Sequence, residues 1–213
     1  MLTRLQFDRA CKLFIQKYEN SPPSMATNAL RGWLWNDHPS ISGLGYLSRN
    51  TNYLSRDTGS SVYMDSDDDY AEFDEAAAPI HINTESLMSQ QYVVYSATFQ
   101  VPCFYLTMYH SNGASLSINE LLASTLFGPD ILREADTTSF ALTRRSTTFP
   151  LLSQGDHPTT GRPCWFLHPC ETTAAVEELL KEVEMVENNE EEYLLRWLQV
   201  WFMVLGSVVN LAA

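Results

Sequence analysis

One apolar stripe opens the chain. Phe7, Ala10, Cys11, Phe14, Ile15 and Tyr18 recur at helical spacing. They predict an amphipathic helix that stops at Asn20-Ser21-Pro22-Pro23, because neither proline can continue it and Ser21 is biased away from helical geometry. Trp33-Leu34-Trp35 and Gly45-Tyr46-Leu47 predict short strands on either side of a turn-rich loop at 36–43. The apolar and aromatic runs at 92–99 and 101–109 predict two longer strands, followed by a loop at 110–115. Ser117-Ile-Asn-Glu120 is a capping box and predicts a short helix through Leu126. The stretch 137–148 is polar and threonine-rich, which suits a loop or a weak edge strand, and 161–167 predicts a strand.

Two helices close the pattern. Val176, Leu179, Leu180 and Val183 share one helical face, with most of the glutamates outside it. Leu194, Trp197, Leu198, Trp201, Leu205 and Val208 form a second stripe, widened by Val200, Phe202 and Met203, which predicts a helix buried on most sides. The run without charge, 198–213, is 16 residues long, short of the roughly 20 needed to span a bilayer. A packed helix is therefore expected there, with a tail anchor as the alternative. The pattern as a whole predicts one α+β domain over 1–213: an antiparallel sheet of consecutive strands, backed by an N-terminal helix and C-terminal helices.

Charge changes this picture at two places. The net charge is −13, and it is unevenly spread. Residues 57–78 hold eight acids and no base, and 171–192 hold nine acids against Lys181 alone, which leaves the rest near +3. The stretch at about 56–79 has no usable period and repels itself, so a disordered acidic insert is expected, either a plain solvated loop or an acidic docking segment. An acidic chain without a basic stripe argues against nucleic acid as a partner. Charges in Met1-Leu-Thr-Arg-Leu-Gln-Phe-Asp-Arg replace the apolar core of a secretory signal, and four cysteines make no dense disulfide framework. A cytoplasmic location is expected. Cys11 falls on a helical apolar face and Cys103 in an aromatic strand, so both read as packing residues.

The candidate chemistry centres on Cys170. It ends Trp165-Phe166-Leu167-His168-Pro169-Cys170 and precedes an amphipathic stretch, at a predicted seam between strand and helix. A thiol there suits a nucleophile, with a buried structural cysteine as the alternative. A helix N-terminus favours the thiolate and the neighbouring Glu171 opposes it. His168, two residues earlier, would share a face with Cys170 on an extended segment. It can support an oxyanion or orient an amine; alternatively it bonds backbone and shapes the turn with Pro169. Cys164, His168 and Cys170 resemble a fragment of a zinc site, with His157 or Asp156 as a fourth ligand, but paired Cys-x2-Cys spacing is absent and no metal or cofactor is expected. Phosphate loops, Gly-x-Ser-x-Gly elbows and His-Glu-x-x-His are absent, and no histidine–carboxylate pair of a cysteine hydrolase stands out.

The same residues carry a resemblance. His168-Pro169-Cys170 is similar to the active site of the autophagy E2-like conjugating enzymes. Further segments follow in order: Gly45-Tyr46-Leu47, Tyr95-Ser96, Phe99-Gln100-Val101-Pro102, Tyr105, Gln154-Gly155-Asp156-His157-Pro158, Phe166 to Thr172, and the aromatic final helix. Together they resemble the autophagy-related protein 10 family more than the lipid-conjugating autophagy-related protein 3. The resemblance implies an E2-like fold and Cys170 as the thioester cysteine. It implies that autophagy-related protein 12 is received from the activating enzyme, autophagy-related protein 7, and transferred to a lysine of autophagy-related protein 5 in autophagosome formation. The alternatives are the lipid-conjugating type and a non-catalytic module that binds ubiquitin-like proteins. The upstream His-Pro-Asn of ubiquitin-conjugating enzymes is absent, so His168 is the nearest substitute by position. Where some family members carry a tyrosine this chain has Phe99, which shifts the task to His168, or to Tyr95 or Tyr105.

Overall fold

The computed structural model describes residues 1–22, 25–41, 43–56, 85–128, 131, 135–145, 147, 149–170, 172–182 and 189–212. The acidic insert expected at 56–79 lies outside the described residues, save Arg56.

The first helix, α1 (Arg4–Glu19), is set by a capping box at Thr3 and Gln6, and it buries Phe7, Ala10, Cys11, Phe14 and Tyr18 of the stripe, with Ile15 half-buried at its margin. A single turn, α2 (Met25–Asn28), leads into the sheet. The strands are β1 (Leu34–Asn36), β2 (Tyr46–Leu54), β3 (Ser86–Ser96), β4 (Val101–Tyr109), β5 (Ala135–Thr137), β6 (Ala141–Arg144), β7 (Leu152–Asp156) and β8 (Pro163–Leu167). They form one antiparallel sheet in the order β1-β2-β3-β4-β8-β7-β6-β5. Consecutive strands pair as expected, except at the middle, where β4 neighbours β8 through Tyr105↔Phe166 and Leu106↔Trp165. The threonine-rich stretch is the sheet's far edge, β5 and β6.

Three helices lie on one face of the sheet: α1, α4 (Thr172–Glu182) and α5 (Glu190–Gly206). A single core joins them to inward residues of six strands, among them Leu47, Val93, Phe104, Leu106, Leu142, Leu152 and Leu167. Phe14 stacks on Phe202 at 4.6 Å, and Phe202 meets Trp33 at 5.3 Å, which locks α1, α5 and the start of β1 together. Asn189 caps α5 through Glu191 N (3.1 Å) and Glu192 N (3.3 Å), with three glutamates in its first turn opposite the helix dipole. Val200 and Phe202 are buried as expected, but Met203 is exposed, so α5 keeps one open stripe. Val208 lies past the helix end.

Four boundaries depart from the sequence pattern. β2 runs on to Leu54 and β3 begins at Ser86, because their inward positions include the buried Arg49, Ser89 and Gln91, which no apolar pattern reveals. Arg49 and Gln91 are direct cross-strand partners. The guanidinium reaches Gln91 Oε1 (2.7 and 3.1 Å), Ala29 O (2.8 Å) and Leu211 O (3.2 Å), and lies over the Trp33 ring. Gln91 donates to the Tyr53 hydroxyl, which donates to Asn210 O at 2.7 Å. β3 ends at Ser96 rather than Phe99, where Gln100 takes a left-handed conformation (φ 54°) to close the turn into β4. The helix opened by Ser117, α3 (Ile118–Leu122), stops early because Ser124 bridges Ser55 and Thr125 N bonds Leu54 O.

Candidate active site

The last ladder bonds of β8 set the site. Leu167 pairs with Leu152, and His168 N donates to Leu151 O at 3.0 Å, so the extended backbone persists one residue past the strand. Pro169 is buried and turns the chain. Thr172 N bonds Pro169 O (3.2 Å) as α4 begins, which leaves Cys170 on the turn between strand and helix.

Cys170 is half-buried; Cys11, Cys103 and Cys164 are buried. Burial pushes the Cys11 thiol well above its usual range and the Cys103 and Cys164 thiols up to about 12, with Asp156 adding to the shift at Cys164. Cys103 donates to Leu167 O at 3.1 Å, and Cys164 to Gly155 O at 3.5 Å. These three remain protonated and enclosed at neutral pH.

His168 acts on Cys170 through the backbone. Its Nδ1 accepts the Cys170 N–H at 3.4 Å, so in the neutral ring the proton sits on Nε2. The ring thus bonds the backbone of the turn, as the second of the two sequence readings expects. The imidazole stacks flat on Phe149 at 5.4 Å and 10°, and meets Phe99 edge-on at 5.4 Å and 74°. Both phenylalanines are exposed. Beside them a small, shallow cleft is lined by Arg144, Thr147, Phe149, Leu151, His168 and Cys170. On the helix side of Pro169 a second cavity, about 180 Å³, runs toward Trp201 and Leu205.

The two tyrosines offered as substitutes for the hydroxyl missing at Phe99 are engaged elsewhere. Tyr95 donates to Leu2 O at 2.8 Å. Tyr105 packs on Phe166 (5.5 Å) and His157 (5.8 Å), and burial raises its pKa. His157 is not beside Cys170 either. Its ring is buried between Tyr92 (4.7 Å) and Tyr46 (4.8 Å), both nearly perpendicular to it. Its Nδ1 accepts from Thr159 N and Thr160 N, each at 3.2 Å. In the neutral ring the proton then sits on Nε2, a buried atom without a hydrogen-bond partner among the described residues. Gly161, at φ 65°, completes that β7–β8 turn, where only glycine is unstrained. The Gln-Gly-Asp-His-Pro segment is thus the scaffold of the strand pair that carries Cys170. Among the described residues, no three His, Cys, Asp or Glu side chains converge as metal ligands.

Phe149 and Arg144 were not singled out from the sequence. They sit in a polar, threonine-rich stretch, and the only hint was the Phe149-Pro150 pair, which marks an extended residue before a turn.

A helix-backed antiparallel sheet with a half-buried His-Pro-Cys cysteine between strand and helix defines the E2-like class of autophagy proteins. The model of the family described as autophagocytosis associated protein, active-site domain, matches residues 6–212, and the chain belongs to that family. It is similar to a protein named ubiquitin-like-conjugating enzyme ATG10 in three organisms. Identity is 32% over 123 residues in Dictyostelium discoideum (56% of this chain, 49% of the relative). It is 24% over 128 residues in Homo sapiens (60% and 51%) and 30% over 120 in Arabidopsis thaliana (56% and 48%). The chain spans about half the length of these curated relatives. Among the described residues no helix is long and apolar enough to cross a membrane.

Proposed function

We propose that this chain is an E2-like conjugating enzyme of autophagy that carries a ubiquitin-like modifier as a thioester on Cys170 and transfers it to a lysine. The observation that carries the reading is the contrast among the four cysteines: three are buried, while Cys170 is half-buried at the strand–helix turn of the His-Pro-Cys segment. In the first step the Cys170 thiolate attacks the thioester carbonyl on the activating enzyme, whose own cysteine leaves as a thiolate. In the second a lysine amine attacks the new thioester. The tetrahedral oxyanion collapses, Cys170 departs, and the amine gives up a proton as the isopeptide bond forms. His168, with its proton on Nε2, supplies a hydrogen-bond donor to that oxyanion.

The names of the relatives support the pathway, and the family resemblance narrows it: autophagy-related protein 12 as modifier, autophagy-related protein 7 as activating enzyme, and autophagy-related protein 5 as acceptor. Reconstitution with the first two and ATP, read on a non-reducing gel, tests the reading. Wild type should form an adduct lost on reduction, whereas Cys170→Ser should form one that survives thiol reductants, since an ester is a poorer acyl donor. Adduct formation and normal transfer by Cys170→Ala would end the assignment to Cys170, whereas no adduct from wild type would leave a docking module.

A further inference from the structure

Phe149 is 56% exposed, so it adds little to the core. Yet the turn that presents it is braced. Thr147 N and Oγ1 donate to Arg144 O (3.1 and 3.2 Å), and the same hydroxyl reaches Phe149 O at 2.9 Å. Leu151 N closes the turn on Leu142 O at 2.8 Å. Pro150 confines Phe149 to extended backbone. The ring so held lies parallel to the His168 imidazole, while Phe99, from the β3–β4 turn, meets the same imidazole near a right angle. Two separate chain segments converge on one side chain whose Nδ1 already accepts the Cys170 amide proton.

We propose that Phe149 is a positioning residue: its flat stack fixes the plane of the His168 ring, and so the direction of the Nε2–H donor, during transfer from Cys170 to lysine. The proposal rests on the thioester reading of Cys170. A flat aromatic surface is required, because an aliphatic side chain covers the imidazole without setting its plane. Substitution at so exposed a site leaves stability nearly unchanged, so effects on rate separate from effects on folding.

Phe149→Ala, Phe149→Leu and Phe149→Tyr, each in the full chain, test it in two arms. In single-turnover assays Cys170 is charged with autophagy-related protein 12 and then discharged onto free lysine. Charging should stay within about twofold in all three. Discharge should slow roughly tenfold in the Ala and Leu variants, part of the 10²–10³ that one oriented donor supplies, and return with Tyr. Normal discharge in Phe149→Ala, or recovery in Phe149→Leu equal to that in Phe149→Tyr, overturns the proposal. The second arm needs no partner: the His168 ring protons, shifted by the Phe149 ring current in wild type, should move in the NMR spectrum of Phe149→Ala and Phe149→Leu and return in Phe149→Tyr. Unmoved resonances overturn it as well. Failure of the wild type to charge at all overturns the reading of Cys170 instead, and with it the role assigned to Phe149.

Discussion

Two histidines eleven positions apart, one at each end of the β7–β8 strand pair, meet opposite fates. His168 lies at an open cleft and His157 is sealed among tyrosines. Burial lowers the His157 pKa from 6.5 to about 4. Between those values the unfolded chain takes up a proton that the folded chain refuses, so stability is full above pH 6.5 and falls as pH drops toward 4. The loss amounts to about 3 kcal/mol by linkage. Denaturant titrations at pH 7 and pH 4.5 should show it as a difference between wild type and His157→Gln; an equal pH slope in both would refute it. His168→Ala should accept the modifier normally but discharge it roughly 10²-fold more slowly, measured by single-turnover transfer. Unchanged discharge would reduce His168 to a residue that shapes the turn. Cys170 and His168 were legible because a short motif carries its own chemistry. Phe149 and Arg49 were not: the first acts through a ring contact far from its own place in the sequence, and the second is a charge whose partners are mostly backbone carbonyls.

Among the elements, helices were read to within a few residues because their stripes face one core, and α1 and α5 buried the residues the spacing named, except the half-buried Ile15 and Val208 and the exposed Met203. Strands fared worse wherever the buried face was polar. β7 was missed as a strand, since Leu152-Ser-Gln-Gly-Asp156 shows no alternation and is held by β6 and β8 on its two sides. The β1–β2 hairpin offers a test of tight packing. A Cβ on Gly45 would fall within the Trp35 ring, whose Nε1 is tied to Asp37 at 2.8 Å. Gly45→Ala should therefore cost about 1–3 kcal/mol as the indole is displaced, read as a lower denaturation midpoint. A midpoint equal to wild type would mean that Trp35 swings aside freely.

Across the whole molecule, the sheet is two four-stranded meanders that meet at β4 and β8 through only two registered pairs. A seam so short would part easily if strands alone held it. One hydrophobic core runs beneath both halves, however, with Val176 of α4 and seven buried residues of α5 in it. Unfolding should therefore be a single transition, with far-ultraviolet dichroism and tryptophan fluorescence superimposing. Separate midpoints for the two probes would mean that the halves come apart independently. Trp197→Ala, at a fully buried site, should lower that single transition by about 3–5 kcal/mol without splitting it.

The Arg49 cluster has a bearing on how such a chain is made. Its guanidinium bonds a carbonyl 162 positions later, and Tyr53 bonds one 157 positions later. While the chain emerges from the ribosome, the β2–β3 ladder can zip as soon as both strands are out, yet a cation then lies on its inner face with part of its coordination still unsynthesised. Contacts this remote in sequence form slowly. The arginine thus ties the β2–β3 ladder to residues 210–211, and the cluster closes only once that remote segment has docked.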